Sequence, residues 1–286
     1  MTDLEHRIAA LACWRGPVTM EPLTGGLTNL SFVVEDAGEK FVVRCGDDIP
    51  VHHVFRDRER AASVAAHAAG LSPEVVHTEP GLLVMRFVDG RTFTEADLRA
   101  NIQHLAPLLR KCHREVGQHL AGPPSFFSVF HVIRDYGRTI AAAGSPFAAG
   151  VPRYLEANRA LEAAQVPMPI IFGHHDLLPG NVMDDGKRLW LIDWEYGGFG
   201  TAMFDLANLS ANGAFGEVED TALLDAYFEG NVSADLRRSF QAMKAASALR
   251  EAMWAMVSDA HLQIPGADYK AHARDYLGRF EELMAH

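Results

Sequence analysis

The sequence predicts an α+β fold in which a small antiparallel sheet with one helix precedes a larger, mainly helical part. Residues 1–88 contain short β-branched and aromatic runs separated by turn residues, as expected for paired strands. From residue 89 onward, segments with helical periodicity predominate. We therefore predict an N-terminal lobe over residues 1–88 and a C-terminal lobe over residues 89–286.

Each element of the N-terminal lobe has a local signal. The Ala-rich segment 55–69 favours a helix that ends at Gly70, and Asp36-Ala-Gly38 is typical of a hairpin turn between two strands. The predicted strands cover residues 18–23, 30–34, 41–44, 74–78 and 82–88.

The C-terminal lobe is predicted to be helical except at its centre. Thr94-Glu-Ala-Asp is a capping signal for the first helix. The predicted helices cover residues 94–113, 125–142, 152–164, 218–229, 234–261 and 267–284. Two short apolar strands, 170–172 and 189–192, flank a loop rich in ionisable residues, which is where we expect the chemistry.

Composition limits the class of protein. The 286 residues are 48% hydrophobic and 22% charged, which is typical of a globular chain, and the net charge of −11 disfavours binding to nucleic acid. The three cysteines have no metal-binding spacing, the N-terminus has no signal-peptide pattern, and no apolar segment is long enough for membrane insertion. We therefore expect a cytoplasmic protein.

The central loop has the spacing of a kinase catalytic loop. His174, Asp176 and Asn181 fit the pattern H-x-D-x-x-x-x-N, and a following apolar strand leads to Asp193. In transfer of a phosphoryl group from ATP, Asp176 would take the proton of the acceptor hydroxyl, while Asn181 and Asp193 would bind Mg²⁺. We expect His174 to stabilise the loop by hydrogen bonding.

Each of these residues also has a simpler interpretation. Asp176 and Asn181 are residue types that cap turns, and Asp193 is a type that caps helices. The pair His174-His175 suggests a metal site, but adjacent residues in a strand point in opposite directions. The joint occurrence of the loop residues in kinase order favours phosphoryl transfer.

Several further segments extend this pattern. They are Gly25-Gly-Leu-Thr-Asn29, Val42-Val-Arg44, Ile192-Asp-Trp-Glu-Tyr196 and Phe204-Asp-Leu-Ala-Asn208. With the central loop they resemble the aminoglycoside phosphotransferase and choline kinase superfamily, and most closely its choline/ethanolamine kinase branch. The resemblance implies a protein-kinase-like bilobal fold, with ATP and Mg²⁺ as cofactors.

The resemblance also implies a set of nucleotide-binding residues. Arg44 stands where many relatives have a phosphate-binding lysine, and Glu59 on the next helix is its expected ion-pair partner. Glu59 is alternatively one more charge on a solvated helix face. The backbone of Phe87 and Val88 is expected to bind adenine, and the hairpin expected to cover the phosphates contains Gly25, Gly26, Thr28 and Asn29.

The acceptor is less sharply defined. Trp194, Glu195 and Tyr196 follow Asp193 directly, so we expect them on the acceptor side. Trp254 is a second candidate wall, although it also suits a core stripe. Glu251 stands where better-known choline kinases have a tryptophan; it is expected either to pair with a primary ammonium or to face solvent.

The sequence thus predicts an ATP- and Mg²⁺-dependent kinase for choline, ethanolamine or a similar amino alcohol. Its partner is a small-molecule hydroxyl acceptor, and a homodimer is compatible with the sequence. The alternatives are an aminoglycoside or sugar phosphotransferase, whose acceptor pocket would use the acids near residues 217–225, and a degenerate kinase that binds nucleotide without catalysis.

Overall fold

The N-terminal part of the chain forms a five-stranded antiparallel sheet. The structure is a computed structural model that describes residues 2–23, 30–262, 264 and 266–285. The strand order is β1-β2-β3-β5-β4. The elements are α1 (Asp3–Ala9), β1 (Thr19–Leu23), β2 (Leu30–Asp36), β3 (Glu39–Cys45), α2 (Arg56–Ala68), β4 (Val75–Glu79) and β5 (Leu82–Arg86).

The remainder is mostly helical and carries two small sheets, of order β6-β8-β9 and β10-β7. Its strands are β6 (Arg91–Thr92), β7 (Ile170–Gly173), β8 (Val182–Asp184), β9 (Leu189–Leu191) and β10 (Gly198–Thr201). Its helices are α3 (Glu95–Ala100), α4 (Ile102–Lys111), α5 (Gly117–His119), α6 (Val129–Ala142), α7 (Val151–Ala163), α8 (Ala202–Asn212), α9 (Glu217–Phe228), α10 (Ala234–His261) and α11 (Tyr269–Met284). This architecture confirms the predicted α+β fold. Within the described residues, no helix combines the length and apolar character needed to cross a bilayer.

One face of the N-terminal sheet is covered by α1. Phe32 and Val34 alternate along β2 and point into a small core with Ile8 and Leu11 from the α1 region. Thr2 caps α1 in a capping box with Glu5, a signal that is present in the sequence although α1 was not predicted.

The helix α2 connects the two parts of the molecule. Its residues Ala62, Ala65 and Ala66 are buried in the large core formed mainly by the C-terminal part. Small side chains let neighbouring backbone approach closely: a Cβ on Gly197 would lie 2.9 Å from the Cβ of Ala62. This packing fixes α2, and therefore Glu59, against the segment that follows Asp193.

Two helical predictions need correction. The helix predicted over 94–113 is interrupted at Asn101, whose side-chain amide donates to the Asp97 carbonyl and competes with the helical backbone bonds. The helix α8 was not predicted, because all its residues are buried and it therefore lacks an amphipathic pattern.

Candidate active site

The loop between β7 and β8 is held by the side chain of His174. Its Nε2 donates to the Ile192 carbonyl at 2.8 Å, and its Nδ1 accepts from the Asp176 backbone N–H at 3.3 Å. These two bonds fix the tautomer of the buried ring and join the loop to the segment after β9. They are the kind of stabilising contact expected of His174.

The helix α8 supports the same loop through a buried carboxylate. Asp205 accepts from the backbone N–H groups of His174 and His175 at 2.8 and 2.7 Å, and from Nε2 of His113 at 2.9 Å. Burial alone would raise the pKa of Asp205, but the nearby histidines and the bond from His113 hold that pKa below its usual value. The carboxylate therefore stays ionised beneath the loop.

Two further residues of α8 hold Leu177. Asn208 Oδ1 accepts from the Leu177 N–H at 2.6 Å, and Asn212 Nδ2 donates to the Leu177 carbonyl at 3.3 Å. We did not predict roles for Asp205, Asn208 or Asn212. The available signal was polar residues spaced by three and four in an otherwise apolar segment, which place them on one face of a helix.

The structure brings Asp176, Asn181 and the segment before Asp193 together. Asn181 Nδ2 donates to the Asp176 carbonyl at 2.8 Å and to Asp176 Oδ2 at 3.2 Å. The Ile192 N–H donates to the Asn181 carbonyl at 3.0 Å. Because the amide nitrogen of Asn181 makes these bonds, its amide oxygen is the atom that would bind a cation.

Asp193 has the chemistry of a magnesium ligand. It adopts a left-handed conformation with φ 65°, and its side chain is 27% exposed. Among the described residues, no group of three His, Cys, Asp or Glu side chains is placed to hold a metal. A pair of oxygen donors nonetheless suits Mg²⁺, which keeps several waters and completes its shell with phosphate oxygens. Asn181 and Asp193 therefore fit the ion.

Arg44 lies at the centre of a buried ion network. Its Nη1 is 2.6 Å from Asp193 Oδ1 and 3.1 Å from Glu59 Oε1, and its Nη2 is 2.7 Å from Glu195 Oε2. The ion pair expected between Arg44 and Glu59 is thus present. Arg56, which we did not predict, contacts both Glu59 and Glu195 at 2.6 and 3.2 Å.

Two residues predicted on the acceptor side lie elsewhere. Trp194 is buried against the His174 ring and its Nε1 is 3.3 Å from Ser72 Oγ, so it packs in the core. Glu195 belongs to the Arg44 network, where burial and the Asp193 carboxylate raise its pKa. The chain turns at Glu195 and Tyr196, where the Gly197 N–H donates to the Trp194 carbonyl at 2.9 Å, and neighbouring side chains of a turn point in different directions.

Tyr196, Glu251 and Trp254 do lie together beside Asp176. Trp254 Nε1 donates to the Tyr196 hydroxyl at 3.2 Å. Glu251 is buried on α10, one turn before Trp254, and does not face solvent. These residues form the wall that faces the loop.

A buried arginine links this wall to the loop. Arg250 Nη1 is 2.8 Å from Glu251 Oε2 and 3.6 Å from Asp176 Oδ1, and the guanidinium lies 4.5 Å from the centre of the Tyr196 ring. Burial raises the pKa of Asp176 well above its usual value, and Arg250 opposes that shift. We did not predict a role for Arg250, which lies within a long apolar helix.

The remaining predicted nucleotide residues are only partly described. The Phe87 N–H donates to the Lys40 carbonyl at 3.1 Å, and Val88 is buried in the connection to β6, where we placed the lobe boundary. The predicted phosphate-covering residues Gly25, Gly26, Thr28 and Asn29 lie outside the described residues.

The acids considered for an aminoglycoside pocket have other partners. Asp220 is buried and lies 2.8 Å from Lys244 Nζ, and Asp225 pairs with Arg237 at 3.0 Å. Glu219 caps the start of α9. The contacts of Asp220 and Asp225 join α9 to α10, whereas Glu217, the fourth acid of this segment, is exposed.

Comparison with known proteins identifies the family of this chain. Residues 19–243 match the phosphotransferase enzyme family. The chain belongs to this family. A choline/ethanolamine kinase family protein from Mesorhizobium loti is 30% identical, with a TM-score of 0.79 over 99% of this chain and 94% of that chain.

More distant relatives come from bacteria and from a plant. Protein LicA of Haemophilus influenzae is 25% identical over 208 residues, and a probable ethanolamine kinase of Arabidopsis thaliana is 25% identical over 213 residues. The matches cover 61% and 55% of those two proteins, less than two thirds of their length. The choline kinase LicA of Streptococcus pneumoniae, 20% identical with a TM-score of 0.74, shares the fold over 93% of each chain.

Proposed function

We propose that this family member transfers the γ-phosphoryl group of ATP, in a Mg²⁺-dependent reaction, to the hydroxyl of choline, ethanolamine or a similar amino alcohol. The observation that supports this most directly is the hydrogen-bonded group of Asp176 and Asn181, joined through Ile192 to Asp193. A carboxylate base, an amide oxygen and a second carboxylate are the groups that this reaction requires. The similarity to choline/ethanolamine kinases supports the same acceptor class.

In the proposed reaction, Asp176 orients the acceptor hydroxyl and takes its proton as the oxygen attacks the γ-phosphorus. The bond from that phosphorus to the bridging oxygen of the β-phosphate breaks, and ADP leaves. A carboxylate with a raised pKa accepts a proton more readily than an ordinary one. When bound between Asn181 and Asp193, Mg²⁺ would neutralise charge on the phosphates.

Arg44 contributes a permanent positive charge close to Asp193. Its guanidinium can bind two phosphate oxygens and cannot lose its proton at physiological pH. Glu59 and Glu195 hold the guanidinium in place from two sides. We expect bound phosphate to compete with Asp193 for Arg44, which frees the aspartate for the metal ion.

The test is phosphoryl transfer by the wild-type protein and the variant Asp176→Asn. With Mg²⁺, ATP and ethanolamine or choline, the wild type should release ADP and form the phosphorylated alcohol, measured by mass spectrometry. The variant should lose about 100-fold or more of kcat, because it cannot accept the proton. Its affinity for nucleotide should stay within about threefold of wild type, since Asp176 does not contact Arg44.

Asp235→Asn is the matched control, since Asp235 is an exposed aspartate at the start of α10. It should keep wild-type activity. A variant Asp176→Asn with kcat within tenfold of wild type would show that Asp176 is not the base. Nucleotide binding without transfer to any alcohol would favour a degenerate kinase that binds nucleotide without catalysis. Transfer to an aminoglycoside but to neither amino alcohol would favour an aminoglycoside phosphotransferase.

A further inference from the structure

We infer that the Glu251 carboxylate, rather than an aromatic cage, recognises the nitrogen of the acceptor, and that this nitrogen carries at least one N–H. The inference rests on the proposed function and narrows its acceptor to primary, secondary or tertiary amino alcohols, with ethanolamine preferred over quaternary choline. It depends on how the aromatic rings and the charges beside Asp176 are arranged.

The aromatic rings that would bind a quaternary ammonium already have neighbours packed against them. The Arg250 guanidinium lies 4.5 Å from the centre of the Tyr196 ring. The His52 ring lies 5.2 Å from Trp254 at an interplanar angle of 31°, and Tyr269 packs against Trp254 at 5.9 Å. A trimethylammonium group needs accessible aromatic faces, and these contacts reduce the face area that Tyr196 and Trp254 can offer it.

The Glu251 carboxylate is instead oriented for a hydrogen-bond donor. Arg250 Nη1 lies 2.8 Å from its Oε2, and His272 Nε2 lies 3.0 Å from its Oε1. An ionised carboxylate accepts about four hydrogen bonds, so these two contacts leave capacity for an ammonium N–H. The side chain is fixed before any acceptor arrives.

Glu251 is also close enough to the base for one small molecule to reach both. Asp176 Oδ1 and Glu251 Oε2 lie 3.6 and 2.8 Å from the same nitrogen of Arg250. The two carboxylates therefore lie around one guanidinium nitrogen, and a two-carbon amino alcohol is long enough to reach both. In the proposed arrangement the hydroxyl is at Asp176 and the nitrogen is at Glu251.

The charge of this group matches a single cation. Apart from the His272 ring on Glu251, the group consists of two carboxylates, Asp176 and Glu251, and the Arg250 guanidinium, and these three side chains together carry one negative charge when ionised. Because these side chains are buried, an uncompensated charge is costly and a bound ammonium would balance it. A quaternary ammonium balances the charge but supplies no hydrogen bond to the carboxylate.

The first experiment uses the wild-type protein and a series of acceptors. Ethanolamine, its N-methyl and N,N-dimethyl derivatives and choline carry progressively fewer N–H groups, and only choline has none. We expect kcat/KM to decrease modestly along the first three and to fall about 10- to 100-fold at choline, because the last charge-assisted hydrogen bond is lost there. This test needs no variant and therefore does not depend on a variant folding.

The second experiment compares Glu251→Gln, Glu251→Asp and the control Glu162→Gln, which removes a surface carboxylate paired with Arg134. The measured quantity is the ratio of kcat/KM for ethanolamine to that for choline, in which the fraction of folded enzyme cancels. Glu251→Gln should lower this ratio about 10- to 100-fold through KM for ethanolamine. Glu251→Asp should keep most of the preference, and Glu162→Gln all of it.

The outcomes separate the two proposals. Equal use of choline and ethanolamine by the wild type, or an unchanged ratio in Glu251→Gln, overturns the role of Glu251 and leaves the amino alcohol kinase intact. Absence of transfer to every member of the series overturns both.

Discussion

Asp205 accepts three hydrogen bonds although its side chain is buried. Two of the donors are consecutive backbone N–H groups of the catalytic loop, and the first of these residues, His174, also bonds to the Asp176 N–H. His175 between them is in the left-handed region with φ 63°, a conformation that non-glycine residues rarely adopt without support. A single carboxylate therefore fixes the backbone that carries Asp176, the proposed base.

We predict that Asp205→Asn will lower kcat and destabilise the fold by about 3 kcal/mol or more, because an amide cannot accept all three bonds. Urea unfolding and steady-state kinetics measure the two effects. The loss of stability should be present at neutral pH and shrink as pH falls below the usual aspartate pKa of 3.8. The reason is that the pKa of Asp205 is lower in the folded state than in the unfolded state. Protonation at low pH therefore removes the stability that the ionised Asp205 carboxylate gives the wild type.

Asp220→Asn provides the comparison for this variant. Asp220 is equally buried and charged, but it pairs with Lys244 away from the loop. The variant Asp220→Asn should reduce stability without reducing kcat of the folded enzyme. Equal losses of kcat in both variants would mean that Asp205 acts on stability alone.

At the scale of elements, strand β7 leads directly into the loop that contains Asp176. The strand lies between helix α8 and strand β10. It pairs with β10, and Gly173 at its end lies opposite Gly198. A Cβ on Gly173 would lie 2.5 Å from His175 Nε2 and 2.9 Å from Asp205 Oδ2. Only glycine lets the His175 ring and the α8 carboxylate approach the strand this closely.

We expect Gly173→Ala to lower stability by about 1–3 kcal/mol and to reduce activity, because the added methyl group displaces His175 or Asp205. Thermal unfolding and initial rates are the measurements. Gly180→Ala is the control for stability: no heavy atom of the described residues would lie within 4 Å of its Cβ. If both variants unfolded at the wild-type temperature, the close packing around Gly173 would have no energetic weight.

At the scale of the whole molecule, the sheet of the N-terminal part and the loops of the C-terminal part meet through charge. Arg44 on β3 contacts Glu59 on α2 and also Asp193 and Glu195, which lie more than a hundred residues further along the chain. Arg44, Glu59 and Glu195 are buried and depend on one another for partners, and Asp193 is partly exposed. Under the proposed function, binding of nucleotide and metal at this network would depend on the relative position of the two parts.

We predict that Mg²⁺ with a non-hydrolysable ATP analogue raises the unfolding temperature, and that EDTA reduces the increase. At 100 times the dissociation constant the stabilisation should be about 2.7 kcal/mol. Asp193→Asn should lose the Mg²⁺-dependent part of the shift, since an amide binds Mg²⁺ more weakly than a carboxylate. Asp235→Asn should keep it, and an equal shift with and without EDTA would argue against a metal ligand at Asp193.

Local patterns in the sequence were sufficient for the fold class and for the loop that carries the base. The spacing of His174, Asp176 and Asn181 places them in one short loop whatever the rest of the chain does. Hairpin and helix signals act over a few residues, so the sheet and most helices followed from them. Where burial removed the hydrophobic periodicity, as in α8, the remaining signal was the spacing of Asp205, Asn208 and Asn212 by three and four residues.

Contacts between distant residues were decided by the tertiary structure alone. The sequence does not show that Trp194 would turn into the core, that Glu195 would join Arg44, or that Arg250 would lie between Asp176 and Glu251. Neighbouring side chains of one segment point in different directions, and which direction reaches the site depends on elements packed against it. The packing of these elements decides which charged side chains pair with one another, and no local sequence pattern specifies that packing.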